Sequence, residues 1–358
     1  MRRRLRLALA ACALVLAAGP AAADLAVRGV SITSWGWDHY GDADAPEVLA
    51  WARCLGATDV ALVTEIPVDT GADRMAPPGP TTGPNANLAR MAAEARRQGL
   101  RVTIKPHHLN GETGGHLAHP AYAPADPAAF FAAYRESLLA HARIAAAAGA
   151  ERLVVGTELG GQLTGAAMRP HWERLIAELR TVFPGRLTYA ATTSTDWPDS
   201  PGANEAQFLA FWDLLDEIGL NVYPTLSTAP APAAPQLAAA FRRNPKGADV
   251  VGPLQALAAR WGRPALILET GFRSLAGGLS DSGDWRREGA PDPALQAAAL
   301  EASLAVWSRE PWLSGLFLWE VEAVPELRRG ETGFSFRGKP AEAAVRRWFA
   351  AGGVPAGC

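Results

Sequence analysis

Eight short apolar runs recur along the chain: Val27 to Thr33, Asp59 to Val63, Leu100 to Lys105, Arg152 to Gly156, Leu187 to Ala191, Gly219 to Val222, Ala265 to Leu268 and Ser314 to Leu318. Runs of this length, rich in Val, Ile and Leu, read as buried strands. Their alternation with longer helical stretches predicts βα units around a parallel sheet. The helical stretches include Leu88 to Gln98, Pro127 to Ala148, His171 to Val182, Glu205 to Asp216 and Pro293 to Trp307. Several open on Pro or Asn and close on Gly, and Gly99, Gly149 and Gly262 fall where a helix end needs a left-handed residue. Eight units close a barrel, so the expected fold is α/β, a single (β/α)8 TIM barrel over residues 24–358. The rival, an open doubly wound sheet, lacks its glycine-rich phosphate turn after the first strand, and the length suits eight units better than five or six.

Residues 1–23 stand outside that pattern. MRRRLRLALAACALVLAAGPAAAD has a basic start, an apolar stretch and Ala21-Ala22-Ala23 before Asp24, which together predict a cleaved signal peptide and an exported protein, periplasmic or secreted. Leu9-Ala10-Ala11-Cys12 also matches a lipoprotein cleavage box, but Cys12 follows Arg6 too closely and the apolar run continues beyond it. Removing this segment takes away four arginines and no acids, so the formal charge moves from −2 to about −6. No basic patch points to nucleic acid. No later stretch is apolar for the ~18 residues of a membrane span, so stable membrane insertion is not expected. A monomer is expected. Two segments rich in Pro with Gly or Ala, Met75 to Asn87 and Thr225 to Asn244, read as loops near the barrel mouth that set substrate choice.

Cys54 and Cys358 remain after cleavage. In a closed barrel the first and last helices are neighbours, with their C-terminal ends on the bottom face. Cys54 would end one and Cys358 follow the other, so a disulfide sewing the barrel shut is expected. The alternative is a buried Cys54 thiol and a frayed terminus.

Candidate chemistry gathers at strand ends. Glu158 in LVVGTELG and Glu269 in ALILETGF each follow a buried apolar run, and 111 positions separate them. At roughly 35 to 40 residues per βα unit they fall three units apart, as on strands 4 and 7, at the C-terminal face where barrels keep their chemistry. Two carboxyls facing each other across a cleft are what glycoside hydrolysis uses. One glutamate at a strand end is more often a salt-bridge or capping group; two in matched Thr/Gly contexts favour catalysis.

The stretches VTIKPH, VVGTELGG, LTYAATT, IGLNVYPTL, LILETGFRS, GLFLWE and the closing GKPAEAAVRRWF resemble family 113 of the glycoside hydrolases, over nearly the whole mature chain. That resemblance implies a TIM-barrel β-1,4-mannanase type of a retaining clan, with Glu158 as general acid/base and Glu269 as nucleophile. It implies no metal and no organic cofactor. It also implies that Tyr223, at the end of NVYP, donates a hydrogen bond to Glu269; otherwise Tyr223 is a rim aromatic with its hydroxyl in water. A retaining pair requires carboxyls roughly 5 to 5.5 Å apart. Glu158 is expected to hold its proton through burial and the field of Glu269.

Other residues read as sugar contacts. Trp319 would floor the site, with Trp35, Trp37, Trp197 and Trp285 as further stacking surfaces from mouth loops, because pyranose C–H faces pack on aromatic rings. Trp51, Trp172, Trp212 and Trp261 lie in helical runs and read as packing. Lys105 and His107 at the end of strand 3 would meet sugar hydroxyls. Thr157 stands where the wider clan places an Asn for the sugar 2-hydroxyl, and that contact is unassigned. Glu65, Glu320 and Glu322 are acids at other strand tips; alternation along strand 8 is expected to turn Glu320 away from the direction of Trp319. Two other functions compete. One is a non-catalytic carbohydrate-binding or polysaccharide-assembly barrel. The other is a metal-dependent hydrolase using His107, His108, His116 and His119, which lacks helical ligand spacing. The leading expectation is an exported retaining glycoside hydrolase acting on a β-linked polysaccharide or oligosaccharide.

Overall fold

In the computed structural model the structure describes residues 25–69, 74–75, 83–110, 123–230, 232–324, 331–351, 353 and 357–358. Eight parallel strands form the wall: β1 (Val27–Thr33), β2 (Asp59–Asp69), β3 (Arg101–Asn110), β4 (Arg152–Thr157), β5 (Arg186–Thr192), β6 (Ile218–Asn221), β7 (Ala265–Thr270) and β8 (Leu313–Glu322). Each pairs with the next, and β8 pairs with β1, so the expected TIM barrel is closed. A two-residue strand, Arg74–Met75, adds antiparallel to the end of β2.

The principal outer helices are α1 (Glu47–Leu55), α2 (Ala86–Arg97), α3 (Pro127–Ala147), α4 (Arg169–Val182), α5 (Val251–Trp261), α6 (Pro293–Trp307) and α7 (Pro340–Phe349). Their starts are chemically marked. The Asn85, Asp126 and Asp292 side chains accept amide hydrogens of the first turns of α2, α3 and α6, satisfying donors that a helix leaves unpaired. The apolar wall between strands and helices is the main core, and Trp172, Trp212 and Trp307 are fully buried in it. Trp51 and Trp261 pack against it from the rim.

The expected helix Glu205 to Asp216 is replaced by one turn, Glu205–Phe208, and a 3-10 turn, Trp212–Leu214. Leu209, Phe211, Trp212 and Leu215 are all buried, more apolar residues than one helical stripe can point inward. The chain therefore unwinds at Leu209 and lays Phe211 on Trp172 with ring centroids 4.5 Å apart. Thr225 to Asn244, expected as a loop, holds a short helix at Ala234–Ala240. Most of the loop from Met75 to Asn87 lies outside the described residues.

Inside the barrel, three layers follow one another. At the bottom, buried Asp59, Arg152 and Glu217 form an ion network with Arg101 and Arg186 at its edge. Above it, Val27, Ala61, Val154, Ala190, Leu266, Leu268 and Phe317 fill the middle. A Cβ on Gly29 would sit 2.2 Å from the Phe317 ring, so glycine makes room for it. The third layer is the site. On the outside, a disulfide joins Cys54 at the end of α1 to Cys358 beyond α7. Among the described residues no helix is long and apolar enough to cross a membrane.

Candidate active site

Strict alternation along a strand does not by itself aim the site residues. Between β4 and β5 the register runs Val154 to Thr188 and then Thr157 to Ala190, so β4 carries one extra residue just before Glu158. Between β6 and β7 it runs Leu220 to Ile267 and then Asn221 to Glu269, so β7 carries one extra residue just before Glu269. Such bulges re-aim side chains, and here they bracket both glutamates. Glu158 adopts φ 51°, the left-handed region, with its amide donating to the Ala190 carbonyl at 2.9 Å.

Glu269 is buried and heavily partnered. The Lys105 ammonium donates to Oε1, His107 Nε2 lies 3.3 Å from the same oxygen, and the Tyr223 hydroxyl donates to Oε2 at 2.7 Å. Burial alone would push its pKa up. The Lys105 charge, with His107 beside it, outweighs burial and holds the carboxyl far below the usual range. Burial lowers the pKa of Lys105, against the pull of Glu269. Burial also lowers His107, favouring neutral imidazole. Burial and the Glu269 charge push the Tyr223 phenol up, so it stays a donor.

Glu158 has the opposite setting. Burial and the field of Glu269 push it up to about 8, against the Asn221 amide, which donates to Oε1 at 2.7 Å, and against Lys105. One mouth thus holds a protonated and an ionised carboxyl at neutral pH.

Trp319 closes the floor. The Lys105 ammonium lies 5.0 Å from its ring, His107 stacks on it at 5.3 Å, and Trp35 leans over both. Contrary to simple alternation, Glu320 also enters this group: it accepts from the Trp35 indole at 2.7 Å. The physical cause is a third bulge, where β8 passes from Leu318 to Val321 while β1 passes only from Val30 to Ile32. Glu65 and His107 are paired neighbours within β2 and β3, which run on past the expected strand ends. Glu65 Oε1 accepts the Gly36 amide at 2.9 Å and so fixes the loop carrying Trp35. Glu322 is buried opposite Thr33.

The remaining expected contacts are placed as follows. Thr157 donates its hydroxyl to the Pro106 carbonyl at 3.0 Å, so its proton is directed to β3. Trp197 is 68% exposed on the lip of a cleft of about 510 Å3 that Glu158, Asn221 and Tyr223 also line. Trp37 and Trp285 stand exposed, the latter with Arg286 4.9 Å from its ring. Asn221 is a site residue that the sequence reading passed over. It sits inside the quoted IGLNVYPTL, and its signal was a polar amide ending an otherwise apolar strand.

His107 and His108 face opposite sides of β3: His107 looks into the barrel, while His108 packs on Tyr134 of α3 at 4.7 Å. Adjacent strand residues diverge in this way, so the two cannot share one ion. Among the described residues no three His, Cys, Asp or Glu side chains converge as a metal site. His116 and His119 lie outside the described residues.

A closed parallel barrel whose mouth holds two carboxyls in opposite protonation states is the arrangement of a glycoside hydrolase. The sequence matches the model of Glycoside Hydrolase Family 113 over residues 34–339, and the chain belongs to that family. Its fold is similar to that of a family 113 β-mannanase from Alicyclobacillus acidocaldarius, at 24% identity and TM-score 0.74, covering 91% of this chain and 97% of that one. A second family 113 β-1,4-mannanase matches at 20% identity and TM-score 0.74, over 90% and 98%. A β-glucuronidase from Ruminococcus gnavus matches at 12% identity and TM-score 0.59, over 90% of this chain and 50% of that one. Among curated proteins none matches the sequence significantly.

Proposed function

We propose that this glycoside hydrolase is an exported enzyme that cleaves β-1,4-mannan or a related β-linked polysaccharide by double displacement. Glu269 is the nucleophile and Glu158 the general acid/base. The observation that carries the reading is the unlike partnering of the two buried carboxyls, Glu269 accepting from the Lys105 ammonium and the Tyr223 hydroxyl and Glu158 from the neutral Asn221 amide. This favours the ionised form of the first and the protonated form of the second.

In the first step a Glu269 oxygen attacks the anomeric carbon as the bond to the leaving oxygen breaks, and Glu158 gives that oxygen its proton. A glycosyl ester forms and Glu158 becomes a carboxylate. In the second step Glu158 takes a proton from water, whose oxygen attacks the same carbon and releases Glu269. Two inversions return the original configuration. Tyr223 and Lys105 stabilise the Glu269 carboxylate before attack and after release, and Trp319 offers the apolar face on which the pyranose stacks. The cleft lies beside Glu158, and Glu269 is not among its lining residues. The sugar that departs with the Glu158 proton is therefore assigned to the side of Trp197.

The choice of mannan follows the named β-mannanases of similar fold. Export rests on residues 1–23. The test is release of reducing sugar from β-mannan, glucomannan, xylan and mixed β-glucans by the protein beginning at Asp24, with Glu158→Gln, Glu269→Gln and an EDTA-treated sample alongside. Activity lost in both variants and unchanged by EDTA supports the reading. Activity that survives in either variant overturns the assigned roles.

A further inference from the structure

Glu205 takes no part in the chemistry above, yet its carboxyl is wholly buried against the turn that follows Glu158. It opens the single helical turn after β5, and its carboxyl contacts are all neutral donors. The Tyr189 hydroxyl donates to Oε1 at 2.6 Å, the Gly160 amide donates to the same oxygen at 3.0 Å, and the Thr192 amide reaches Oε2 at 3.3 Å. The Thr164 hydroxyl also favours its ionised form. Tyr189 in turn accepts the Leu159 amide at 2.8 Å. Both amides that follow Glu158 are thus tied, directly or through one phenol, to a single carboxyl.

The local backbone needs such a tie. Glu158 at φ 51° and Gly160 at φ 82° lie in left-handed territory, and for a residue with a side chain that conformation costs roughly 1–2 kcal/mol. It persists where the surroundings over-determine it. A buried carboxyl without a cation is itself costly. A neutral side chain could satisfy most of these donors, so the acid points to a use for its charge.

We propose that Glu205 is a positioning residue for the general acid/base, holding the Glu158 turn in register through Tyr189 and Gly160 and placing a second buried carboxyl beneath that turn. This rests on the role given to Glu158 above. The groups facing Glu158 are Glu269 from β7, Lys105 from β3, Asn221 from β6, Tyr223 just beyond β6, and Glu205 itself; those facing Glu205 are Tyr189 from β5, Thr164 from the turn after β4, and Glu158. Burial raises Glu205 to about 7, against Tyr189 and the amides. Its charge therefore develops as the solution becomes alkaline enough to strip Glu158, and it acts to retain that proton.

The test is the pH dependence of kcat/KM for Glu205→Gln on two substrates of the same glycone, an unactivated oligosaccharide and a nitrophenyl glycoside whose leaving group needs little protonation. With the charge gone, the alkaline limb should move down by roughly half a unit or more. The unactivated substrate should lose about tenfold more rate than the activated one, equivalent to about 1.4 kcal/mol of acid assistance. Tyr189→Phe cuts the link to Leu159 and also removes a hydrogen bond that helps keep Glu205 ionised, so it should slow the unactivated substrate and move the limb down as well. It also serves if Glu205→Gln fails to fold. A wild-type pH profile for Glu205→Gln, or equal losses on both substrates in either variant, overturns the proposal. Glu158→Ala is measured in parallel: if it still cleaves the unactivated substrate, the role of Glu158 falls, whereas an essential Glu158 with an unmoved Glu205→Gln profile removes only this inference.

Discussion

Lys105→Met is the sharpest test of how Glu269 is kept ionised. The ammonium is fully buried, donates to Glu269 Oε1 and to the Leu268 carbonyl, and lies over Trp319. Methionine keeps most of the stem and removes the charge, leaving Glu269 desolvated with only His107 and Tyr223. Breaking a buried pair by removing one partner costs about 3–5 kcal/mol when the other must stay charged. Glu269 escapes part of that cost by taking up a proton, since burial then dominates and its pKa rises above the ordinary 4.5. The sign is definite. In the wild type the depressed pKa contributes stability above the ordinary value, lost only as pH falls through the depressed one. In the variant the native state binds the extra proton, so stability falls as pH rises. The destabilisation from urea unfolding should therefore be near its full 3–5 kcal/mol at pH 8 and roughly half that at pH 5. The acid limb of kcat/KM should move up by at least one unit. Adding Glu269→Gln removes the orphaned charge, so the double variant should be less destabilised than the sum of the singles by about 1–3 kcal/mol. Equal destabilisation at both pH values together with an unmoved acid limb would refute the reasoning.

In the wild type, kcat/KM should fall above about pH 8 as Glu158 loses its proton and should decline on the acid side only in strongly acidic solution, which a pH series checks directly. Tyr223→Phe removes one hydrogen bond to a charged oxygen, worth about 1.5–3 kcal/mol, so kcat/KM should drop roughly 10- to 150-fold with the melting temperature nearly unchanged. Asn221→Ala frees Glu158 Oε1 and should raise the alkaline limb while slowing turnover; a lowered limb would contradict the placement of that amide. Reducing the Cys54–Cys358 bridge should lower unfolding stability by about 2–5 kcal/mol while leaving kcat/KM intact at a temperature where both forms are folded, because the bridge lies on the outer helices and the site inside the mouth.

The strand count was legible because barrel strands are buried on both faces and so appear as unbroken apolar runs. Glu158 and Glu269 were legible for the same reason, being charges that end such runs. What the pattern concealed was aim. The bulges at Glu158, Glu269 and Trp319 follow from how adjacent strands fit together, and no local composition encodes them; that is why Glu320 was expected to turn away. Asn221 and Glu205 were missed because their importance lies in partners 63 and 45 positions away. The turn containing Glu205 also carried a helical pattern that buried aromatics overrode. Trp37, Trp197 and Trp285 are open aromatic surface, and their use depends on where a polymer runs.

The ion network below the middle apolar layer gives the barrel a floor. Asp59, Arg152 and Glu217 are buried there, and the packed ring of Phe317 and its neighbours separates them from Lys105 and Glu269. The molecule is accordingly a cup rather than a tube: protons, water and sugar reach the two glutamates from above, through the same opening. On the proposed double-displacement route, a polymer lying across that opening would close off its own reaction chamber, and water for the second step would enter only once the departing half had lifted.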